Sequence, residues 1–359
     1  MNKTYLITLT PVGKFFFGGD MNFTVNGKDT DFTSYIICSN KFPQQTSLLG
    51  MLRFLVLRND KDVFDSSSQT INCRDGAIDL IGAKSFEKSG IVGNYGVIKN
   101  ISPCFVQAKK EDGKWIPLSL TPKNANLKVD FSNHTKAVLN GVEVDIPQMD
   151  YDPKKECGLS YSYIGCDKPI KEGDIFIEDI SNGINRDIHT GKTDDNALFK
   201  QVSYRLKEGF RFAFYAEVDL DKIIEYSGQV VSVGADNSQF VLGISECEKQ
   251  KEDDTKGNVV TLLSPAYLTE EEIKSVRFAI TDAIAFRCMK TETKNVESYN
   301  KRSKIYGYSE KLYLYATGSA FYFKSESDAL TFAEKLKAHA DFYQIGYNHY
   351  QVTNLTTNK

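Results

Sequence analysis

Two hydrophobic periods alternate along this chain, and the changes of period divide it into elements. In the C-terminal part, "GNVVTLLSPAYL" (257–268) reads as a strand. "TEEEIKSVRFAITD" (269–282) opens with Thr269 and a run of acids, which predicts a helix start. "AIAFRCMK" (283–290) is a strand, and a polar loop runs from there to about residue 310. "KLYLYATGSAFYFK" (311–324) reads as a strand interrupted at Gly318. "SESDALTFAEKLKAHA" (325–340) is an amphipathic helix with a Ser/Asp cap, and "YQIGYNHYQVTN" (343–354) is the last strand.

The N-terminal part repeats this order with longer excursions. "TYLITLTPVG" (4–13) alternates as a strand, and a strongly apolar helix follows from about Thr46. Further strands are expected at 96–107, 209–220 and 238–246, with a short helix over 219–228. Segments 59–95 and 108–208 are too long for simple connections and read as insertions. The charged run "CEKQKEDDTKG" (247–257) reads as a linker or a mobile loop. The predicted class is therefore α+β, with two tandem ferredoxin-like (RRM-like, βαββαβ) domains. Their spans are 1–248, carrying the insertions, and 257–359.

Composition narrows the chemistry. Hydrophobic residues make up 41% and charged residues 25% of 359, with a net charge of −3, which excludes a generally basic surface but not a local basic groove. No apolar run is long enough to span a membrane, and no cleavable leader is expected, so a cytoplasmic location is expected. Seven cysteines (Cys38, Cys73, Cys104, Cys157, Cys166, Cys247 and Cys288) form no CxxC pair. Buried free thiols are expected, rather than disulfides or zinc ligands. Dinucleotide and P-loop fingerprints, nucleophile elbows and metalloprotease motifs are absent, and His134, His189, His339 and His349 lack metal-ligand spacing. No metal and no cofactor is expected.

Four segments can carry function. In "KFPQQTSLLGMLRFLVLR" (41–58), Thr46 or Ser47 is placed to cap a helix whose free first-turn amides suit a phosphate, with Arg53 two turns in; a capped core helix explains the same pattern. In "KFFFGGDMNF" (14–23), the three phenylalanines cannot all face one side of a strand, and Gly18–Gly19 permits a sharp turn. A stacking platform and ordinary core packing both fit. In 182–219, Arg186, His189 and Lys192 sit around the turn-rich "HTGKTDDN", a protruding hairpin able to lie on a phosphate backbone. There, a solvated loop histidine and a general base are both open. "ATGSAFYF" (316–323) and "QIGYNHY" (344–350) combine glycine with aromatics, suited to close approach by RNA or to strand bulges.

The order of these segments resembles one family. "FPQQTSLLGMLR" is similar to the Pro-x-x-Thr-Ser-Leu-x-Gly-x-Leu-Arg signature of RAMP-superfamily CRISPR proteins. "GINRDIHTGKTDDNALFKQVSYRL" resembles their Gly-Ile-x-Arg…Thr-Gly…Leu-Phe hairpin, and "YATGSAFYF" resembles their Gly-Ser-x-Phe-x-Phe strand. Within the superfamily the pattern is nearest to the third-subunit family of the type III-B (Cmr) effector complex. The resemblance implies a non-catalytic scaffold holding the 5′ tag of a CRISPR RNA, in contact with the large polymerase-type subunit and an adjacent backbone subunit. No membrane and no small-molecule substrate is implied. Carried over by motif, the implied RNA-binding residues are Thr46, Ser47, Arg53, Arg186, His189, Lys192, Gly318 and Ser319; Lys14, Phe17, Gly18, Gln45, Tyr347 and His349 are expected beside them from the reading of their own segments. The equivalent type III-A subunit, a metal-independent guide-processing endoribonuclease with His189 as base, and a protein scaffold without RNA contact are the alternatives.

Overall fold

A computed structural model describes residues 3–19, 21–25, 32–123, 129–139, 142–149, 162–165, 169–186, 190, 193–234, 236–248, 256–290 and 307–353. The chain is a mixed α/β protein, rich in sheets and sparing in helices. Its largest sheet has seven strands. At its centre β1 (Lys3–Pro11) lies between the antiparallel strands Phe210–Val218 and Ser238–Cys247. Ile98–Ile101 and Phe105–Lys109 pair with the far side of Phe210–Val218. Pro103, which has no amide hydrogen to give a ladder, falls in the break between these two pieces of the expected 96–107 strand.

Alternation along β1 and its neighbours sends Tyr5, Ile7, Leu9, Phe212, Phe214, Phe240 and Leu242 to one buried face. Helix α1 (Gln45–Arg58) covers that face. Its apolar residues occupy most of its circumference, so Leu48, Leu49, Met51, Leu52, Leu55 and Val56 are all buried while Gly50 and Phe54 reach solvent. Burying such side chains stabilises by about 1.5–3 kcal/mol each before entropy is counted, so packing rather than propensity holds this helix. The short helix expected over 219–228 is a 3₁₀ turn, Asp221–Tyr226.

The second region has a four-stranded antiparallel sheet in the order Phe278–Ile280, Ala320–Tyr322, Val259–Leu262, Tyr350–Thr353. Helix α2 (Glu326–Ala338) buries Ala329, Phe332, Ala333 and Leu336 against it, capped by Ser325 as the sequence suggested. Three expectations are corrected here. The helix expected over 269–282 is a single turn, Glu270–Ile273, because Phe278–Ile280 pairs with Ala320–Tyr322 as an edge strand. The interrupted strand 311–324 is two strands in different sheets: Leu312–Tyr315 forms a ribbon with Ala283–Phe286, and Ala320–Tyr322 turns into the main sheet. Residues 340–344 continue as a short helix, and the last strand starts only at Tyr350, because Gly346 (φ +89°) and Asn348 (φ +62°) interrupt the chain in left-handed conformations.

The insertions build additions to this frame. Strands Phe176–Arg186 and Thr193–Leu206 form a long antiparallel hairpin, as its turn-rich centre predicts. Phe32–Cys38 joins its second strand in parallel, and Met21–Val25 completes a four-stranded arm. Val129–Leu139 and Val142–Met149 form a second hairpin. Among the described residues no helix is long and apolar enough to cross a membrane. The described cysteines are free, but only Cys288 is buried: Cys38 and Cys73 are exposed, and the Cys73 sulfur caps the helix Arg74–Ile81 by accepting the Gly76 amide. Cys157 and Cys166 lie outside the described residues.

A single apolar core joins the two regions: Phe342, Ile345 and Tyr347 pack with Leu48, Leu49 and Phe86. Around it, Asp341 is 2% exposed and its Oδ2 accepts the amides of Ser89 (2.7 Å) and Gly90 (2.8 Å). Gln344 accepts the Gly93 amide and donates to the carbonyls of Gly93 and Lys99. Asp341→Ala orphans the amides of Ser89 and Gly90 and that of Phe342, and a loss of about 1–3 kcal/mol is expected in a denaturant titration, with faster hydrogen exchange over 88–93. Unchanged exchange there would show that Asp341 does not anchor this loop.

Candidate nucleic-acid interface

The residues singled out in the sequence fall into three groups: those on an accessible face, those built into the interior, and those outside the described residues. The accessible face begins at the loop 14–19. Phe15 and Phe17 turn inward and stack with ring centroids 4.8 Å apart, against Phe212 and Phe240. Phe17 is 8% exposed, so it is core and offers no stacking platform; Phe16 is the partly exposed member of the three. Gly18 (φ +74°) turns the chain back so that its carbonyl accepts the Asn40 amide at 2.6 Å. At Gly19 a Cβ would lie 1.7 Å from the Cys38 carbonyl oxygen, so only glycine fits beside that strand.

From this loop the face runs through 39–44 into α1. Extended Gln44, not Thr46 or Ser47, is the N-cap, and it makes no side-chain capping bond. Thr46 and Ser47 stand in the first turn, half-buried, and the Thr46 hydroxyl donates to the Gln44 side-chain oxygen at 3.4 Å. The helix start is therefore open to a ligand along one side. Its other side is closed from within. Gln45, 3% exposed, donates to the carbonyls of Ser102 and Gly346 at 3.0 and 2.9 Å. Tyr347, 1% exposed, sits edge-on to Phe286 and Phe342. Burial pushes its phenol up, and the Thr46 hydroxyl with the amides of Thr46 and Gln45 opposes that shift, though no hydrogen bond to the phenol is completed. Gln45 and Tyr347 thus tie the two regions together and present nothing to a nucleotide.

Arg53 is likewise structural. It is 9% exposed, and its guanidinium donates to the carbonyls of Ile81 (2.8 Å) and Gly82 (3.3 Å) at the C-terminus of the helix Arg74–Ile81. Burial lowers its pKa to about 10, with Tyr95 opposing, so it stays charged at neutral pH. Ser319 is fully buried in the turn that joins two sheets, where its hydroxyl accepts the Asp282 amide at 3.4 Å. Gly318 (φ +80°) forms that turn, and its carbonyl accepts the Lys123 amide. His349 stacks on Tyr343 at 4.0 Å and shares a hydrogen bond with the Tyr343 carbonyl. Arg186 pairs in register with Thr193 near the hairpin tip, whereas His189 and Lys192 lie outside the described residues.

The cations around the face are already paired with carboxylates. The Lys14 ammonium holds Asp179 (3.3 Å) and the Ser181 hydroxyl (2.9 Å) at the base of the arm. Arg205 joins Asp179 from the neighbouring strand, and hydrogen bonds from Arg205, then Lys14, hold that carboxyl below its ordinary range. Lys41, just before α1, bonds Glu172 at 2.5 Å. Lys123, 4% exposed, bonds Asp282 at 3.3 Å beside the Gly318 turn. An arriving phosphate would have to exchange with Asp179 or Glu172 for these cations.

Sequence reasoning missed Lys41, Arg205, Asp179 and Lys123. Lys41 stands in the same segment as α1 and was within reach. Lys123 was not, because it lies in an insertion with no periodic pattern to place it. Among the described residues no cluster of His, Cys, Asp and Glu is arranged to hold a metal. The face can offer hydroxyls, helix amides and exchangeable cations to an anionic strand.

No curated protein matches the chain. Among solved structures, the chain resembles a chain of the type III-B Cmr-beta complex bound to cognate target RNA and AMPPnP, with 14% identity over 97% of this chain and 96% of that one and a TM-score of 0.48. A second Cmr-beta complex bound to cognate target RNA gives 15% identity, 98% and 96% coverage and a TM-score of 0.47. A Csm3–Csm4 subcomplex of the type III-A interference complex gives 11% identity, 90% and 94% coverage and 0.36. Residues 158–355, more than half the chain, match the profile described as CRISPR-associated protein (Cas_Cmr3), and they include the hairpin and the glycine-serine turn picked out above. The chain belongs to the Cas_Cmr3 family of CRISPR-associated proteins.

Proposed function

We propose that this protein is a non-catalytic scaffold subunit of a type III-B RNA-guided effector complex and holds the 5′ tag of the CRISPR RNA along the face from Lys14 and Gly18 to Thr46 and Ser47. In this reading it touches the large polymerase-type subunit and one backbone subunit. The strand orders support two ferredoxin-like units: the four-stranded sheet of the second region runs 4-1-3-2, and so does the larger one when Val230–Val233 and Trp115–Pro117 are set aside as additions and the two pieces over 98–109 are counted as one strand. The unit boundary then falls near 248–257, with the apolar core around Tyr347 welding the units.

One observation carries the RNA reading. Thr46 and Ser47 leave the start of α1 half-open, and Lys41 just before it and Lys14 beside the arm, each bonded to a carboxylate, are the cations nearest in the chain to this face. Phosphate contacts there fix the position of a strand without reading its sequence.

The test is Thr46→Asp with Ser47→Asp. Acids in the first turn of a helix stabilise it by about 0.3–1 kcal/mol, so these variants stay folded. Placed against a phosphate, they are expected to weaken guide binding by the assembled complex about 10- to 100-fold. Guide retention measured at increasing salt, with photo-crosslinking of a thio-substituted tag, reads the effect. Full retention of the guide, together with no crosslink within 14–19 or 39–47, would sink the assignment.

A further inference from the structure

The two-stranded ribbon Ala283–Phe286 with Leu312–Tyr315, continued by Met289–Lys290 with Gly307–Tyr308, has one buried and one open face. Phe286 (2% exposed), Cys288 (4%) and Leu314 (1%) face the core. Alternation sends Arg287, Met289, Lys311 and Tyr313 the other way. Tyr308 is 71% and Tyr313 64% exposed, the first paired across the ribbon with Met289. Each ring carries a cation on one face only: the Arg287 guanidinium lies 5.2 Å from the Tyr308 centroid, and the Lys311 ammonium 5.1 Å from that of Tyr313.

These cations differ from those at the opening helix. Lys14, Arg205, Lys41 and Lys123 are each bonded to a carboxylate. Among the described residues Arg287 and Lys311 have no carboxylate partner; Arg287 donates to the Ser309 carbonyl, and Glu310, though adjacent, pairs with neither. A chain of net charge −3 has thus left two cations unneutralised beside two open rings.

We propose that this ribbon face is a second nucleic-acid surface, taking a single strand of RNA whose bases stack on Tyr308 and Tyr313 and whose phosphates meet Arg287 and Lys311. Stacking on exposed aromatics beside unpaired cations suits any base sequence, because every base has a flat face. The charge favours a polyanion over an apolar protein segment. The site is separate from the α1 face and stands without it.

The test uses the whole chain and a fluorescently labelled oligouridylate, a probe without tag sequence. Tyr308→Ala with Tyr313→Ala is expected to weaken binding at least 10-fold, at roughly 5- to 100-fold per ring lost. The Phe substitutions at both positions are expected to restore it, since the ring and not the hydroxyl carries the stack. Arg287→Ala with Lys311→Ala is expected to flatten the fall of affinity with salt. All four positions face solvent, so folding is not at issue. Affinity within twofold of the parent in the Tyr→Ala variant overturns the proposal. So does a variant that binds RNA normally yet fails to co-purify with neighbouring subunits, which would make the ribbon a protein-docking face. Thr46→Asp with Ser47→Asp, titrated alongside, separates the two surfaces: a loss in the ribbon variant alone supports this site independently of the opening-helix reading, and a loss in the helix variant alone overturns it.

Discussion

Arg53→Ala is expected to cost about 3 kcal/mol of folding stability and to leave the guide affinity of the remaining folded protein unchanged. The argument starts from the helix Arg74–Ile81. Its C-terminal carbonyls have no partner within the helix, and the Arg53 guanidinium donates to those of Ile81 and Gly82. Hydrogen bonds to a charged donor contribute about 1.5–3 kcal/mol, and the buried stem of the side chain adds packing that alanine lacks. The burial of charge works against this, since the fold lowers the Arg53 pKa to about 10. The sign follows from proton binding. Between about 10 and the ordinary arginine value the folded state binds fewer protons, so the charge penalty is relieved only as pH rises through that window. Below it both states are charged, and the variant's deficit stays constant across neutral pH. Arg53→Lys keeps the charge but not the fork and is expected to recover only part of the loss. A denaturant titration reads the stability, and retention of guide by the assembled complex reads the affinity. A stable Arg53→Ala protein that has lost its guide would return Arg53 to the RNA surface.

Much of the frame was legible because burial writes a period into the chain. Ser238–Cys247 alternates cleanly, and β1 and Phe210–Val218 carry their large apolar residues at every second position, so the central strands fell within one or two residues of their expected bounds. The hairpin Phe176–Arg186 with Thr193–Leu206 was legible from its turn-rich centre. The helix expected over 269–282 was not, since Ile273, Val276 and Ile280 fit a helix face while Val276, Phe278 and Ile280 fit a strand face, and only pairing with Ala320–Tyr322 decides between them. The candidate site was legible as segments but not as roles. Gln45, Arg53, Ser319 and Tyr347 carry groups that suit RNA and equally suit a buried joint, and nothing local in a sequence says which partner they meet. Gln45 meets residues 57 and 301 positions away. Thr46 and Ser47, in the same motif, remain half-open to solvent. The residues of one segment can therefore divide between those that hold the fold and those left half-open to solvent.

That division is sharpest at Tyr347, and the largest stability effect is expected there. Tyr347→Ala removes a fully enclosed ring at the joint between the two sheets, where it meets Phe286 and Phe342 edge-on. Aromatic truncations in cores cost about 3–5 kcal/mol, part of it the cavity left behind. This cavity has little freedom to collapse. On one side stands the start of α1, pinned by Gln45 to Ser102 and Gly346. On another, a Cβ at Gly346 would come within 2.1 Å of the Gln45 amide nitrogen, so the chain there is already at close approach. Tyr347→Phe keeps the ring and removes a hydroxyl that completes no hydrogen bond, so a change below about 1 kcal/mol is expected. The pair separates two roles. If Tyr347 were a stacking residue, alanine would lower guide affinity and spare the melting temperature. As a joint, alanine lowers the melting temperature, loosens exchange across both 44–50 and 340–349, and weakens the guide only by displacing the opening helix. A Tyr347→Ala protein that melts with the parent but releases its guide would show that the ring faces RNA and not the interior.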